Sequence, residues 1–187
     1  MDRYYDMDLR TYLNGYESGL KIPDFKTVLD SGREGLGHMH SHPTGRTYIH
    51  LDLKPENFMV QVELMDGLKR LAHVAITDFG HTRLYEPDDE RLVIKPGYTK
   101  IGSSPYNSAP DQRYSHKVDM WAFGIILLEV ATGEKPEGRD INDWYKEKKA
   151  SLPELTGGMQ ICHAAIQGCL EWDADSKRFD CDALDGF

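Results

Sequence analysis

A mostly apolar run at residues 118–130 is the strongest pattern in the chain, with hydrophobic side chains at nearly every position. A helix that is apolar on all faces is buried in the middle of a domain. Asp119 near its start suits the positive end of the helix dipole, and Gly133 after it suits a C-cap. The pattern therefore predicts a central buried helix. Asp119 and Glu129 interrupt the run, which is too short for a membrane span.

Two neighbouring segments, residues 58–65 and 68–77, alternate between apolar and polar positions in the manner of β-strands. The dipeptide Asp66-Gly67 joins them, and this dipeptide favours the tight type I′ turn of a hairpin. We therefore predict an antiparallel β-hairpin at this place in the chain.

Helical spacing of apolar residues indicates two helices before the hairpin. A short helix is expected at residues 8–13. A longer helix is expected after Pro23, with Asp24 as its cap. It should end near His42-Pro43, because a residue that precedes proline disfavours the helical conformation.

The part of the chain that follows the hairpin is predicted to be helical after one long loop. Residues 81–117 show little periodicity and carry several prolines, which is typical of a functional or disordered loop. Beyond the apolar run, helical spacing returns at residues 142–149 and 159–170. The predicted fold class is α+β, mainly α-helical, in a single domain.

Composition and charge exclude several classes of partner. The chain has 187 residues, with 22 basic and 31 acidic side chains and a net charge of -9. Nucleic acids and anionic membranes bind surfaces rich in Lys and Arg, so we expect neither as a partner. The acidic N-terminus lacks the basic and apolar layout of a secretory signal, which predicts a cytoplasmic or otherwise intracellular protein. Three cysteines without C-x-x-C spacing indicate neither a disulfide framework nor a zinc site.

Four polar residues flank the predicted hairpin. Asp52, Lys54 and Asn57 lie just before its first strand, and Asp78 follows its second strand. Because a hairpin brings its two ends together, we expect these side chains to converge. Two carboxylates and a carboxamide offer oxygen ligands, which suit Mg²⁺ bridged to phosphate. With a lysine beside them, they form the set of groups that phosphoryl transfer requires.

Five motifs, in this order, resemble those of protein kinases. The run HLDLKPEN at residues 50–57 resembles the catalytic loop, and DFG at residues 78–80 resembles the metal-binding motif. Residues 104–111, SPYNSAPD, resemble the substrate-facing loop with its A-P-E end. Residues 119–124 resemble the buried helix that anchors the catalytic loop, and Arg178 is similar to the arginine that pairs with the A-P-E acid. The K-P-E tripeptide in the catalytic loop resembles the serine/threonine branch.

The resemblance implies a role for each of the four clustered residues. Asp52 is expected to accept or orient the proton of the substrate hydroxyl, and Lys54 to steady the transferring phosphoryl group. Asn57 belongs to the same catalytic loop. Together with Asp78 it is expected to hold Mg²⁺.

The resemblance also implies roles outside this cluster. Nucleotide-binding positions are Tyr4 in the hinge, Asp8 at the helix that faces the ribose, Met59 on the floor of the adenine pocket, and Asp78. Activation-loop and substrate-loop positions are Phe79, Gly80, Ser104, Tyr106 and Asp111. Structural positions are His50, Asp119 and Arg178.

Three departures from the kinase pattern affect these expectations. Leu51 stands where many kinases have arginine, so a phosphate on the loop lacks its usual anchor at that site. Asp111 replaces glutamate in the A-P-E motif. No Gly-rich phosphate loop or strand lysine lies upstream, since aligning Asp8 with the family places Met1 near the gatekeeper. The resemblance therefore predicts a kinase C-lobe over residues 1–187, from the hinge to subdomain XI, without an N-lobe.

The sequence leaves three interpretations of function open. The first is a partial serine/threonine protein kinase that transfers the ATP γ-phosphate to a protein substrate, with weak binding of ATP and Mg²⁺ and with a missing segment or another chain supplying the N-lobe. The second is a catalytically silent kinase-like docking module. The third is a nonfunctional remnant with an exposed lobe interface. The four intact polar residues favour the first interpretation over the second, whereas the missing lobe favours the second or third for this chain as it stands.

Overall fold

The structure, a computed structural model, describes residues 5–16, 20–85, 105–106, 115–136, 141–151, 160–170 and 181–184. Its helices are α1 (Leu9–Leu13), α2 (Ile22–His40), α3 (Lys117–Thr132), α4 (Ile141–Ser151) and α5 (Gln160–Cys169). Its strands are β1 (Met7–Asp8), β2 (Thr47–Ile49), β3 (Phe58–Met65), β4 (Leu68–Ile76) and β5 (Arg83–Tyr85). Single 3₁₀ turns occur at Pro55–Asn57, Phe79–His81 and Cys181–Leu184.

The predicted hairpin is confirmed as the β3–β4 pair, in which Phe58 lies opposite Ile76 and Met65 opposite Leu68. Asp66 and Gly67 both have positive φ, 53° and 76°, as a type I′ turn requires. Strand β1 joins the other edge of β3, so the sheet order is β1-β3-β4. The hairpin therefore brings the polar segment before β3 close to the polar segment after β4.

A second, two-stranded sheet corrects the prediction of one continuous loop after residue 80. Strand β5 pairs antiparallel with β2, and Ile49 lies opposite Arg83. The prediction of an unbroken loop was wrong at these residues, because a three-residue strand has no periodicity that the sequence could show. Its hydrogen bonds come from a partner strand more than 30 residues earlier in the chain.

Helix α2 lies where it was predicted, but its N-cap differs. Lys21 is the N-cap, without a side-chain cap bond. Asp24 is buried and accepts a hydrogen bond from the amide of Leu71 (3.0 Å) and one from Arg70 (3.4 Å). The expected capping role was wrong because this carboxylate instead ties the first turn of α2 to the outer edge of β4.

The predicted central helix is confirmed as α3. Its residues from Val118 to Ala131 are buried, and Gly133 caps it with φ 75°. The Phe123 ring stacks on Phe58 from the hairpin, with centroids 6.2 Å apart. Gly124 faces Cys169 of α5 so closely that an added Cβ would lie 2.7 Å from the cysteine Cβ. The core thus surrounds α3, with the hairpin on one side and α5 on another.

The mixed helix and strand content agrees with the predicted fold class. Three apolar residues at the hairpin tip are exposed; Leu64, Met65 and Leu68 are 75%, 45% and 51% exposed. Among the residues that the structure describes, no helix combines the length and the apolarity that crossing a bilayer demands.

Candidate active site

The segment before β3 folds so that Asp52, Lys54 and Asn57 contact one another. Lys54 Nζ donates to Asp52 Oδ2 at 2.9 Å. The Asn57 amide donates to the backbone oxygen of Asp52 at 2.8 Å and to Oδ2 at 3.3 Å. Asp52 and Asn57 are buried, and the 3₁₀ turn Pro55–Asn57 brings the amide back over the aspartate. These donors fix the orientation of the Asp52 carboxylate.

Asp78 reaches this cluster through the residue before it. The Thr77 amide donates to the backbone oxygen of Asn57, and His50 Nε2 donates to the backbone oxygen of Thr77, both at 2.9 Å. Asp78 itself adopts the left-handed conformation (φ 60°, ψ 67°), and its carboxylate accepts from the Gly80 amide at 3.4 Å. Asp78 therefore follows Thr77, whose amide and backbone oxygen both form hydrogen bonds with the segment that contains Asp52.

A buried carboxylate from α3 holds the backbone of the same segment. Asp119 accepts from the amides of His50 (2.7 Å) and Leu51 (3.0 Å). Leu51 has φ 66°, a left-handed conformation that costs a non-glycine residue about 1–3 kcal/mol. The two hydrogen bonds offset that strain. Asp119 thus binds the backbone of His50 and Leu51, and the anchoring roles of His50 and Asp119 in a catalytic loop stay predictions.

An ion cluster that the sequence did not predict lies beside the candidate site. Arg10 of α1 donates to both carboxylate oxygens of Glu129 in α3 and to Glu56 at 2.9 Å. It also donates to the Tyr106 hydroxyl at 2.6 Å, which in turn donates to Glu129 at 2.7 Å. Tyr106, predicted only as a substrate-loop residue, is thereby joined to two helices.

Burial and charge set the protonation of this cluster. Burial opposes the Arg10 charge, but the hydrogen bonds and the negative charge of Glu129 outweigh it and raise the pKa of Arg10. Burial and the Glu129 charge raise the pKa of Tyr106 well above its usual value. The phenol therefore stays a donor. One signal was available in the sequence: a glutamate inside an apolar helix requires a cation beside it.

Two predicted nucleotide-binding residues lie near β1. Met59 is half-buried on β3, opposite Asp8 of β1. The Asp8 carboxylate caps α1, since it accepts from the Thr11 amide at 2.8 Å and from the Thr11 hydroxyl at 2.9 Å. A contact between Asp8 and a ribose stays a prediction, and it would compete with this cap.

Phe79, which follows Asp78, is 53% exposed, and its ring centroid lies 5.5 Å from that of His50. Gly80 is also exposed and donates to Asp78. The other predicted site residues lie outside the described part of the chain; they are Tyr4, Ser104, Asp111 and Arg178.

The donor set suits the magnesium ion that the sequence predicts. The Asn57 nitrogen is engaged with Asp52, which leaves the amide oxygen as the end that can ligate a metal. Asp78 adds an exposed carboxylate. Within the described ranges, no three His, Cys, Asp or Glu residues form a group that could hold a metal. The amide oxygen of Asn57 and the carboxylate of Asp78 are hard oxygen donors, the type of ligand that Mg²⁺ takes beside water and phosphate.

A family model described as the protein kinase domain matches residues 1–180. This chain belongs to the protein kinase family. Inhibitor of nuclear factor kappa-B kinase subunit beta from Rattus norvegicus is 36% identical over 135 residues, which cover 69% of this chain and 16% of that protein. Ribosomal protein S6 kinase alpha-1 from Homo sapiens is 34% identical over 122 residues, 63% of this chain and 14% of that protein. This kinase chain thus corresponds to less than a fifth of the length of either relative.

Proposed function

We propose that residues 1–187 form the C-terminal lobe of a serine/threonine protein kinase domain, which transfers the γ-phosphate of ATP to hydroxyls of a protein substrate. The hydrogen-bonded set of Asp52, Lys54 and Asn57 carries this proposal. Asp78, joined to that set through Thr77, supports it. Membership of the protein kinase family provides the reaction class.

In the proposed reaction the chain acts by positioning and by charge. Asp52 receives the proton of the attacking hydroxyl, whose oxygen forms the new bond to the γ-phosphorus as the bond to ADP breaks. Lys54 carries positive charge 2.9 Å from Asp52, where it steadies the transferred group. Asn57 and Asp78 would hold Mg²⁺, which supplies charge neutralisation on the phosphates when bound.

We further propose that another segment of a longer protein, or another chain, supplies the N-lobe. Residues 78–80 are exposed, including the large ring of Phe79. Each phosphate contact at such an open site works against the high dielectric of water, which weakens it. The 187-residue chain alone is therefore expected to bind MgATP weakly and to transfer phosphate poorly.

A fusion enzyme tests the proposed chemistry. An N-lobe from the rat relative would be joined ahead of residue 1, and transfer of labelled phosphate to a generic protein substrate would be measured. Asp52→Asn should lower transfer by about 10²–10⁴-fold, because it removes the proton acceptor. The matched control is Asp66→Asn, which changes a carboxylate at the hairpin turn and should leave transfer unchanged. Transfer that survives Asp52→Asn would refute the proposed role.

The chain without an added lobe gives a second test, by thermal denaturation with and without MgATP. MgATP at or below its dissociation constant adds at most about 0.4 kcal/mol to the free energy of unfolding. The midpoint temperature of unfolding should therefore rise by less than about 2 °C. A rise of many degrees that Asp78→Ala abolishes would contradict the proposal that this lobe alone binds weakly.

A further inference from the structure

A buried imidazole lies where the end of α2, the start of α3 and the 3₁₀ turn Cys181–Leu184 meet. His40 Nε2 is 3.0 Å from Asp119 Oδ2. His40 Nδ1 is 3.5 Å from Cys181 Sγ, across 141 residues of sequence. All three side chains are buried. The contact therefore connects the last described segment of the chain to the helix that anchors the catalytic loop.

The donor and acceptor chemistry of these groups indicates where the hydrogens lie. An ionised carboxylate only accepts hydrogen bonds, so His40 Nε2 carries the hydrogen and donates it to Asp119. Nδ1 of a neutral imidazole is then an acceptor, which matches the thiol of Cys181 as donor. Met120 Sδ lies 3.6 Å from the same thiol but is a weak acceptor. The imidazole nitrogen is the better partner for the thiol hydrogen.

The contact of His40 with Asp119 reaches the catalytic loop through one carboxylate oxygen, Oδ2 of Asp119. Asp119 Oδ2 accepts from His40 and from the His50 amide, while Oδ1 accepts from the Leu51 amide. A rotation of the carboxylate would weaken both amide contacts, and Leu51 would lose the partner that offsets its left-handed backbone. The orientation of His40 therefore bears on the backbone directly before Asp52.

We propose that Cys181 and His40 are positioning residues of the catalytic loop: the Cys181 thiol donates to His40 Nδ1 and fixes the orientation of the ring, whose Nε2–H holds the Asp119 carboxylate on the His50 and Leu51 amides. The proposal rests on the proposed function only in treating this segment as catalytic. The geometry on which it depends can be measured without phosphate transfer.

Cys169 provides a matched control for Cys181. Both thiols are buried. Burial, together with the neighbouring Cys181, raises the pKa of the Cys169 thiol, so Cys169 is not a reactive thiolate. Its backbone closes helix α5 and its side chain packs on Gly124. Truncating it removes a similar volume without removing the donor to the imidazole.

Ring nitrogen NMR on the 187-residue chain tests the tautomer directly. The expected spectrum of the wild-type chain shows His40 with a protonated Nε2 and an unprotonated Nδ1. Cys181→Ala should keep the Nε2–H tautomer, because Asp119 still accepts from it, but should shift the Nδ1 resonance to that of an acceptor without a donor, whereas Cys181→Ser, which keeps a donor, should leave the resonance near its wild-type position. A protonated Nδ1 in the wild-type chain would overturn the proposal, even if both variants failed to fold.

Amide hydrogen exchange tests the effect on the loop. Cys181→Ala should speed exchange at His50 and Leu51 by about fivefold, the effect of one modest hydrogen bond, and Cys181→Ser should restore it. Exchange at Leu71, whose amide is held by Asp24, should not change, and Cys169→Ala should leave the loop amides unaffected.

Equal acceleration at Leu71 would show that Cys181 contributes only to global stability, and unchanged loop amides in Cys181→Ala would show that it does not position the loop. Either result would refute the proposal. Neither depends on the fusion enzyme, so the inference and the proposed kinase activity can fail separately.

Discussion

Arg10 and Glu129 carry opposite charges that the fold has removed almost completely from water, since their side chains are 12% and 3% exposed. Desolvation of each charge is unfavourable, and the pair is tolerated because Tyr106 and Glu56 complete its hydrogen bonds. The cluster links helix α1 to helix α3. If either ion is removed, the other is left buried without a counter-ion, which is unfavourable.

The two glutamates of the cluster are predicted to differ in their effect on stability. Glu129→Gln leaves a buried guanidinium without its counter-ion and should lower the free energy of unfolding by about 3–5 kcal/mol. Glu56→Gln should lower it by less than about 1 kcal/mol, because the Glu56 side chain is 39% exposed. Urea unfolding measures both, and equal losses would contradict the proposed cluster.

Tyr106 is predicted to make stability depend on pH in the alkaline range. Its pKa is raised in the folded protein, so its contribution is complete below the unfolded value of about 10 and declines as pH rises above it. Tyr106→Phe should have a lower free energy of unfolding than the wild-type protein at neutral pH. The difference between the two proteins should decrease by about 1–2 kcal/mol by about pH 11.5. Leu64→Ala, an exposed change, should keep the alkaline slope of the wild-type protein.

Helix α2 packs against the hairpin and against α3. The space around two of its glycines shows how close its contacts are. A Cβ at Gly32 would lie 2.5 Å from the Phe123 ring, which cannot retreat because it stacks on Phe58. A Cβ at Gly37 would lie 3.6 Å from Cys181, an ordinary contact. The close contact with Phe123 requires a glycine at position 32, whereas the contact with Cys181 leaves room for a Cβ at position 37.

Gly32→Ala and Gly37→Ala are predicted to change stability in opposite directions. The first overpacks the core and should lower the free energy of unfolding by about 1–3 kcal/mol. The second gains helix propensity without a clash and should raise it by about 0.5–1 kcal/mol. Chemical denaturation of the two variants checks this, and stabilisation by Gly32→Ala would contradict the close packing of α2 on Phe123.

Elements with strong local patterns could be predicted from the sequence, and elements that depend on distant partners could not. The hairpin was predictable because Asp66-Gly67 favours its turn, and α3 because its apolar run is long. Strands β2 and β5 escaped prediction since each is three residues long and exists only by pairing. At the candidate site, the predicted hairpin indicated that Asp52 and Asn57 lie near Asp78, a convergence that stays a prediction for the Asp78 side chain. The cluster of Arg10 with Glu129 needed the tertiary fold.

At the scale of the whole molecule, the two large aromatic rings beside the candidate site lie in different environments. Phe58 is fully buried against Phe123, while Phe79 is 53% exposed at the edge of the cluster. An exposed phenylalanine at this place is consistent with the proposal that a second lobe packs here. In the isolated chain, however, its ring contributes little to the core.

Phe79→Ala should therefore lower the stability of the isolated chain by less than about 1 kcal/mol, whereas Phe58→Ala should lower it by about 3–5 kcal/mol. Thermal and urea unfolding measure both values. In the fusion with an N-lobe, the loss for Phe79→Ala should increase, because its ring would then be covered. An equally small loss in the fusion would argue against a lobe packed on this ring.

The contact between His40 and Cys181 has a consequence for how the protein is made. The two residues are 141 positions apart, and ribosomes add roughly 5–20 residues per second. Cys181 is therefore synthesised on the order of ten seconds after His40. During synthesis, helix α2 and the loop before Asp52 are complete long before this last partner emerges. A nascent chain is thus expected to acquire a correctly held catalytic loop only after Cys181 has been synthesised.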